Sequence, residues 1–237
     1  MRVISCANPK GGVGKTTIAA VLATTIASFE GDRPIRVKVI DADPAGNMGL
    51  WAEQRAKNGL PKLFDVIGGV TAETMVSTID DLAKLGTTDF LIIDLEGTAN
   101  EVTSFAIGRS DLTLIPLSPS GMDARLAAKA SALVQRLSAA FRLDLSYAFA
   151  FCRTNAAIVT REHKNIMKQL VDNDQPMLEV DLKERAAFRE MFGLGRTIPE
   201  MSETKSGQVA KATANAEAFT QAVIDFMVET TAARKAA

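Results

Sequence analysis

The sequence predicts an α/β protein, a doubly wound, mostly parallel twisted sheet with helices on both faces, in a single domain over 1–237. Three observations carry this. Short apolar runs alternate with longer amphipathic stretches along the whole chain, as in consecutive βαβ units. The runs are continuously apolar rather than alternating, as strands covered on both faces must be. A chain of 237 residues, 47% apolar and 23% charged, is long enough to bury a sizeable core and ordinary enough to be globular.

Strands are expected at Arg2 to Ala7, Ile35 to Ile40, Phe90 to Asp94, Leu112 to Leu117 and Leu145 to Phe151, each rich in Val, Ile, Leu or Phe. Shorter ones are expected at Lys62 to Val66 and near Met177 to Val180. Helical spacing is clearest where Leu126, Ala130, Leu133, Leu137 and Phe141 recur after a Ser-Gly-Met-Asp start, a stripe predicted to face the core. From about Lys205 to Thr231, the spacing of Val209, Ala212, Ala216, Phe219, Val223 and Phe226 predicts a long closing helix. No internal repeat or low-complexity linker interrupts the pattern.

Lys and Arg number 27 against 28 Asp and Glu, a formal net charge of -1. That balance excludes a globally basic nucleic-acid binder and a polyelectrolyte tail, so any DNA contact must be a local patch. Cys6 and Cys152 lie far apart in apolar runs and read as reduced, buried thiols. No run approaches the roughly 18 apolar residues of a membrane span, and the N-terminus enters a strand pattern directly, so a cytoplasmic location is expected. His163, between Glu162 and Lys164 with no second ligand type at metal spacing, reads as an exposed helix residue.

The most informative segment follows the first strand: Asn8, Pro9, Lys10, Gly11, Gly12, Val13, Gly14, Lys15, Thr16 and Thr17, leading into an Ala/Leu-rich helix. Strand, glycine loop and helix in that order gather backbone N–H groups and a helix N-terminus around an anion. Gly11, Gly12 and Gly14 allow close approach of phosphates, Lys15 reaches their β and γ oxygens, and the Thr16 hydroxyl suits Mg²⁺. Pro9 occupies the first position of the strict GxxxxGK[ST] pattern, and an extra lysine, Lys10, lies inside the loop.

The KGGVGKTT run at 10–17 resembles the deviant Walker A motif of the ParA/MinD family of P-loop ATPases. The resemblance implies ATP and Mg²⁺ as ligands. It also implies a nucleotide-sandwich homodimer in which Lys10 reaches phosphates held by the other subunit while Lys15 serves its own. Asp41-Ala42-Asp43-Pro44-Ala45-Gly46-Asn47 resembles the family's DxDPQGN segment, implying that Asp43 orients the attacking water and Asp41 supports the metal site. Asp94 ends an apolar strand, as a metal-supporting carboxylate should. In Asp94-Leu95-Glu96-Gly97 the glutamate replaces the proline that the family commonly carries, so Glu96 adds a carboxylate near the metal or loosens the loop.

The chain looks most like the small plasmid-partition ParA type, because the loop begins at residue 8, without the N-terminal extension of larger partition ATPases. By that resemblance Arg153 lines the adenine pocket, backbone around Asp181 to Glu184 completes it, and Arg185 lies near a DNA-facing surface. Residues 1–118 hold 11 basic and 14 acidic residues and 119–237 hold 16 and 14. Arg161, Lys164, Lys168, Lys183, Arg185, Arg189, Arg196, Lys205 and Lys211 are candidates for a common face, with Arg185, Lys164, Lys168 and Arg189 the first choices for DNA contact. An ATP dimer would double such contacts. The expected function is an ATPase that binds DNA non-specifically in partition or positioning, stimulated by a ParB-like partner. Alternatives are a ParA-like ATPase assisting conjugative transfer, a MinD-type membrane-cycling ATPase, and a metabolic or cluster-handling enzyme. The tail Thr230 to Ala237 has too few cations for a stable membrane anchor, and Cys6 and Cys152, lying in strands, do not resemble interface cluster ligands.

Overall fold

The computed structural model describes residues 1–202 and 208–236, with side chains of the last helix to 232. Seven strands form one sheet: β1 (Arg2–Cys6), β2 (Val37–Ala42), β3 (Asp65–Ile67), β4 (Phe90–Leu95), β5 (Leu112–Leu117), β6 (Tyr147–Thr154) and β7 (Leu182–Lys183). Their spatial order is β3-β2-β4-β1-β5-β6-β7, and every pairing is parallel. The connecting helices are α1 (Lys15–Ala27), α2 (Asn47–Lys57), α3 (Ala72–Leu85), α4 (Glu101–Gly108), α5 (Gly121–Phe141), α6 (Arg161–Asp172), α7 (Ala187–Leu194) and α8 (Gln208–Ala236).

Alternate side chains of each strand enter different layers, as the period of two requires. Ile4 and Cys6 of β1 join Ile18, Leu22, Trp51, Phe219 and Val223 on one face. Val3 and Ala7 join Met75, Ile79, Ile107 and Val134 on the other. β1 lies between β4 and β5, where the chain's direction of winding reverses. Ligands of such sheets bind in the crevice outside the carboxyl ends of the strands at that point. The segments after β1, β2 and β4 all emerge there.

Several boundaries differ from expectation for identifiable reasons. β2 begins at Val37 and runs on through Asp41 and Ala42. The Asp89 carboxylate accepts from the backbone N–H of Arg36 at 2.9 Å and pairs with both Arg33 and Arg36, which fixes that segment before the ladder starts. Met177 makes a single bridge to Phe149, and the edge strand proper is β7.

The core-facing side of α5 is Ala127, Ala130, Ser131 and Val134; Leu126, Leu133 and Leu137 are half-buried on its flank and Phe141 is 44% exposed. Small residues against the sheet let the helix approach closely, so the larger ones are displaced sideways. The closing helix begins by Gln208; its expected start at Lys205 lies outside the described residues, as does the end of the tail at Ala237.

His163 is not exposed: it is 3% accessible, its ring 4.4 Å from that of Phe151. On α6, poor in apolar residues, the histidine supplies part of the packed face beside Ile166. Its pKa is lowered by burial, against the opposing pull of Asp181. Cys6 and Cys152 are free and buried. Burial raises both thiol pKa values, that of Cys152 to about 12, so neither is reactive at neutral pH. Among the described residues no helix is long and apolar enough to cross a membrane.

Candidate functional site

The loop after β1 is held by its own first residue. The Asn8 amide donates to the Pro116 carbonyl on β5 at 2.7 Å, while its side-chain oxygen accepts from the Lys10 N–H at 2.9 Å. Gly12 and Gly14 have φ of 73° and 107°, and Gly14 caps α1, so the turn directs backbone N–H groups toward one space. Lys15 is buried, and its ammonium donates to the Asn8 and Lys10 carbonyls at 3.2 and 3.0 Å. Burial lowers its pKa, opposed by Asp94 and Asp43. The segment after β4 lies directly on the loop: a Cβ at Gly97 would sit 2.9 Å from the Gly11 nitrogen and 3.1 Å from the Lys10 carbonyl carbon. Only glycine permits that approach, so the two loops are packed backbone against backbone.

Asp41 and Asp94 are register partners on β2 and β4. Asp94 is completely buried and neither carboxylate oxygen has a well-formed hydrogen bond. Burial raises its pKa to about 7; the nearby Thr16 hydroxyl and Lys15 pull it down, while Asp41 and Asp43 push it further up. Asp41 accepts from the Met48 and Gly49 N–H groups at 2.9 and 3.0 Å through Oδ2, and its Oδ1 is buried and unpartnered. Burial raises its pKa too. Asp43 is half-buried and accepts from the Ala45 N–H at 2.9 Å.

Buried carboxylate oxygens without partners are costly and rare. Here they lie beside a hydroxyl and a phosphate loop, a hard-oxygen set that suits Mg²⁺, which takes one or two carboxylates, waters and phosphate oxygens rather than an all-protein cage. Among the described residues no group of three or more His, Cys, Asp or Glu is placed to hold a metal ion.

The expected reach of Lys10 meets a competing contact. Its ammonium bonds Asp123, a buried carboxylate in the first turn of α5 that also accepts from the Ser118 hydroxyl. Burial acts to raise the Asp123 pKa, but those hydrogen bonds outweigh it and the net shift is downward. Sequence reasoning missed Asp123, which sits three residues after the helix cap Ser120 and looks like an ordinary first-turn acid. Glu96 accepts from Thr98 and Asn100; Asn100 in turn caps α4.

A cavity of about 150 Å³ adjoins the loop, lined by Gly14, Thr17, Cys152, Arg153 and the Leu182 to Arg185 segment, with Phe188 and Arg189. Arg153 is exposed there with φ 55°. Arg185 is in the same wall, its Nε buried without a partner. The structure thus brings Arg153, Arg185 and Arg189 together beside the loop. Lys164 and Lys168 lie instead on the exposed side of α6; Lys168 pairs with Asp172 at 2.7 Å, and Arg189 with Glu184 at 2.7 Å.

With this geometry established, comparison with known proteins decides the family. The profile of the VirC1 protein family matches residues 1–231. The chain belongs to the VirC1 family, within the ParA/MinD group of P-loop ATPases. A protein named ParA from Rhizobium radiobacter is 32% identical over 229 residues, covering 97% of this chain and 99% of its own. The protein named virC1 from Rhizobium rhizogenes is 25% identical over 191 residues, 81% of this chain and 80% of its own.

Among solved structures, the ATP complex of a singly substituted McdA from Cyanothece superposes with a TM-score of 0.73 at 16% identity, covering 94% of this chain and 96% of that one. MinD from Aquifex aeolicus gives 0.72 at 19%, covering 95% and 98%. At those identities the likeness shows the fold. Membership of the ParA/MinD group implies an ATPase.

Proposed function

We propose that this VirC1-family chain is a Mg²⁺-dependent ATPase whose ATP-bound homodimer binds DNA without sequence preference and positions or partitions it, with hydrolysis stimulated by a ParB-like protein. The observation that carries this reading is the pairing of two ill-satisfied features at one crevice. A lysine-bearing phosphate loop has its ammonium on its own carbonyls, and beside it lies a buried carboxylate with no well-formed hydrogen bond. Each lacks the partner that a Mg²⁺–triphosphate supplies.

In this reading the N–H groups of Gly11, Gly12, Val13, Gly14, Lys15, Thr16 and Thr17 cradle the phosphates, and Lys15 moves from the loop carbonyls onto their oxygens. Thr16 and Asp94, with Asp41 behind them, hold Mg²⁺, which when bound neutralises charge on the β and γ oxygens. Asp43, at the exposed mouth, orients the attacking water. Arg153 lies over the base. Lys10 leaves Asp123 to reach phosphates of the facing protomer, so ATP favours the dimer by its differential affinity for that state. Loss of the γ-phosphate returns Lys10 to Asp123.

The decisive experiment measures binding to arbitrary duplex DNA with ATP, ADP and no nucleotide across a salt series, with sedimentation of the protein under the same conditions. Dimerisation and DNA binding with ATP alone, falling steeply with salt, is the expected result. DNA binding in no state, or independent of nucleotide, overturns it.

A further inference from the structure

Three cations that the sequence patterns did not single out, Arg125, Lys129 and Arg136, share one side of α5. At 3.6 residues per turn they fall within about 40° of one another and span about 17 Å of helix axis. All three are exposed, and none has an ion pair or hydrogen bond among the described residues. The only acid on α5 is Asp123, which is buried and engaged with Lys10 and Ser118. Among the described helices, α5 is the one whose exposed charges are all positive. Glu162, which lines the α5–α6 groove with Arg125, is occupied in accepting from the Gly121 N–H at 2.7 Å.

Of the four cations expected from sequence, Lys168 and Arg189 are neutralised by Asp172 and Glu184, Lys164 shares α6 with Glu162 and Asp172, and Arg185 lines the cavity beside the phosphate loop. A helix bearing like charges four residues apart loses a little stability through their repulsion, and α5 carries that cost with no exposed acid of its own to relieve it. A polyanion relieves it.

We propose that the Arg125–Lys129–Arg136 side of α5 is the track on which this chain holds the phosphate backbone of DNA. The proposal rests on the DNA-binding reading above and places its contact surface. It also supplies a route for nucleotide control, because the track starts two residues after Asp123. Transfer of Lys10 from Asp123 to ATP therefore acts on the helix that carries the track. Each strand of duplex DNA carries a phosphate per about 3.4 Å of helix axis, so three cations spread over about 17 Å of α5 can each meet a separate backbone phosphate. Two protomers together offer six cations.

The test compares the wild-type protein with the triple variant Arg125→Gln/Lys129→Gln/Arg136→Gln and with Lys164→Gln/Lys168→Gln/Arg189→Gln, using a duplex of about 30 base pairs, ATP and a salt series. The α5 variant is expected to keep ATP-dependent dimerisation and DNA-free ATP hydrolysis. It should lose at least about tenfold in DNA affinity at about 0.1 M salt, with the slope of log affinity against log salt shallower by about 2.7 per protomer, about 0.9 for each contact removed. The other variant is expected to lose less.

Unchanged affinity and slope in the α5 variant, or the reverse ranking of the two variants, overturns the proposal. So does normal DNA binding combined with loss of protein-stimulated hydrolysis, which would assign this face to an acidic polypeptide. If the wild-type protein itself fails to bind DNA in every nucleotide state, the DNA-binding reading falls first, and that outcome needs no variant to recognise.

Discussion

The crevice around the phosphate loop and the corner where α2 meets α7 are both built on charged groups taken out of water, yet they treat them in opposite ways. At the corner, Arg55 is 2% exposed and fully provided for. It forms a two-pronged pair with Glu200 at 2.6 and 2.8 Å, donates to the Pro61 and Gly195 carbonyls, and lies 5.5 Å from the Trp51 ring centroid. Trp51 stacks on Phe64 at 5.3 Å and donates to the Arg196 carbonyl. At the crevice, Asp94 has burial without partners. The difference teaches where stability is kept and where it is surrendered. The corner closes the fold, and the crevice leaves buried carboxylate oxygens without partners, as the proposed ligand role requires.

One neutral substitution in each region sharpens this contrast. Asp94→Asn should reduce ATP hydrolysis by at least about 100-fold, read as phosphate release, because on the proposed reading the Mg²⁺ site would lose its buried anion. The same variant without nucleotide should be more stable at about pH 8 than wild type by roughly 2–4 kcal/mol in urea unfolding, since it removes an unpaired buried charge. The sign follows from linkage. The raised folded pKa of about 7 means the native protein binds the Asp94 proton more tightly than the unfolded chain, so that group's contribution falls as pH rises from about 4 to 7. Asp94→Asn should flatten that fall. If the variant is less stable than wild type at that alkaline pH, the carboxylate has a structural partner and the contrast fails.

At the corner the expected sign reverses. Gly195 has φ 59°, and a Cβ there would overlap the Arg55 backbone nitrogen and lie 2.6 Å from the Gln54 carbonyl carbon. Gly195→Ala should therefore cost about 3 kcal/mol or more by forcing α2 and α7 apart. Glu200→Gln should cost about 1–3 kcal/mol, leaving Arg55 without its anion. The Glu200 pKa is lowered to about 2 by the Arg55 hydrogen bonds, against the opposing effect of burial. Its contribution is present above the ordinary glutamate pKa near 4.5 and disappears as pH falls through about 2. The wild-type advantage over Glu200→Gln should shrink over that window in urea titrations; an advantage that persists at the acid end would assign it to packing.

How much of each region the sequence reveals follows from the same difference. The crevice is written in local strings: 10–17, 41–47 and 94–97 each carry their chemistry in consecutive residues, and the alternating apolar runs place all three at strand ends. The corner is written in distant pairs. Nothing near Arg55 indicates Glu200, 145 residues away, so its burial is invisible until α2 and α7 meet. The burial of His163 is hidden for the same reason, its neighbours Glu162 and Lys164 being polar while its ring packs on Phe151. Asp123 falls between the cases, being placed beside the phosphate loop yet joined to Lys10 only across 113 residues.

Within that pair, substitution of Asp123 yields the smallest effect and the most direct test of the proposed exchange. On the proposed reading Lys10 exchanges the Asp123 carboxylate, which it bonds here, for phosphate oxygens of the facing protomer, which makes Asp123 a competitor for the same ammonium. Lys10→Ala should leave ATP binding near normal and abolish the ATP dimer, because it removes the bridging cation itself. Asp123→Asn should have the opposite, milder effect, lowering the ATP concentration at half-maximal dimerisation about threefold to tenfold, a differential of roughly 0.7–1.4 kcal/mol. Sizing of both variants across an ATP titration reads the two outcomes together. Should Asp123→Asn weaken the dimer as Lys10→Ala does, Asp123 steers the lysine toward its target instead of holding it back, and the direction of the exchange is reversed.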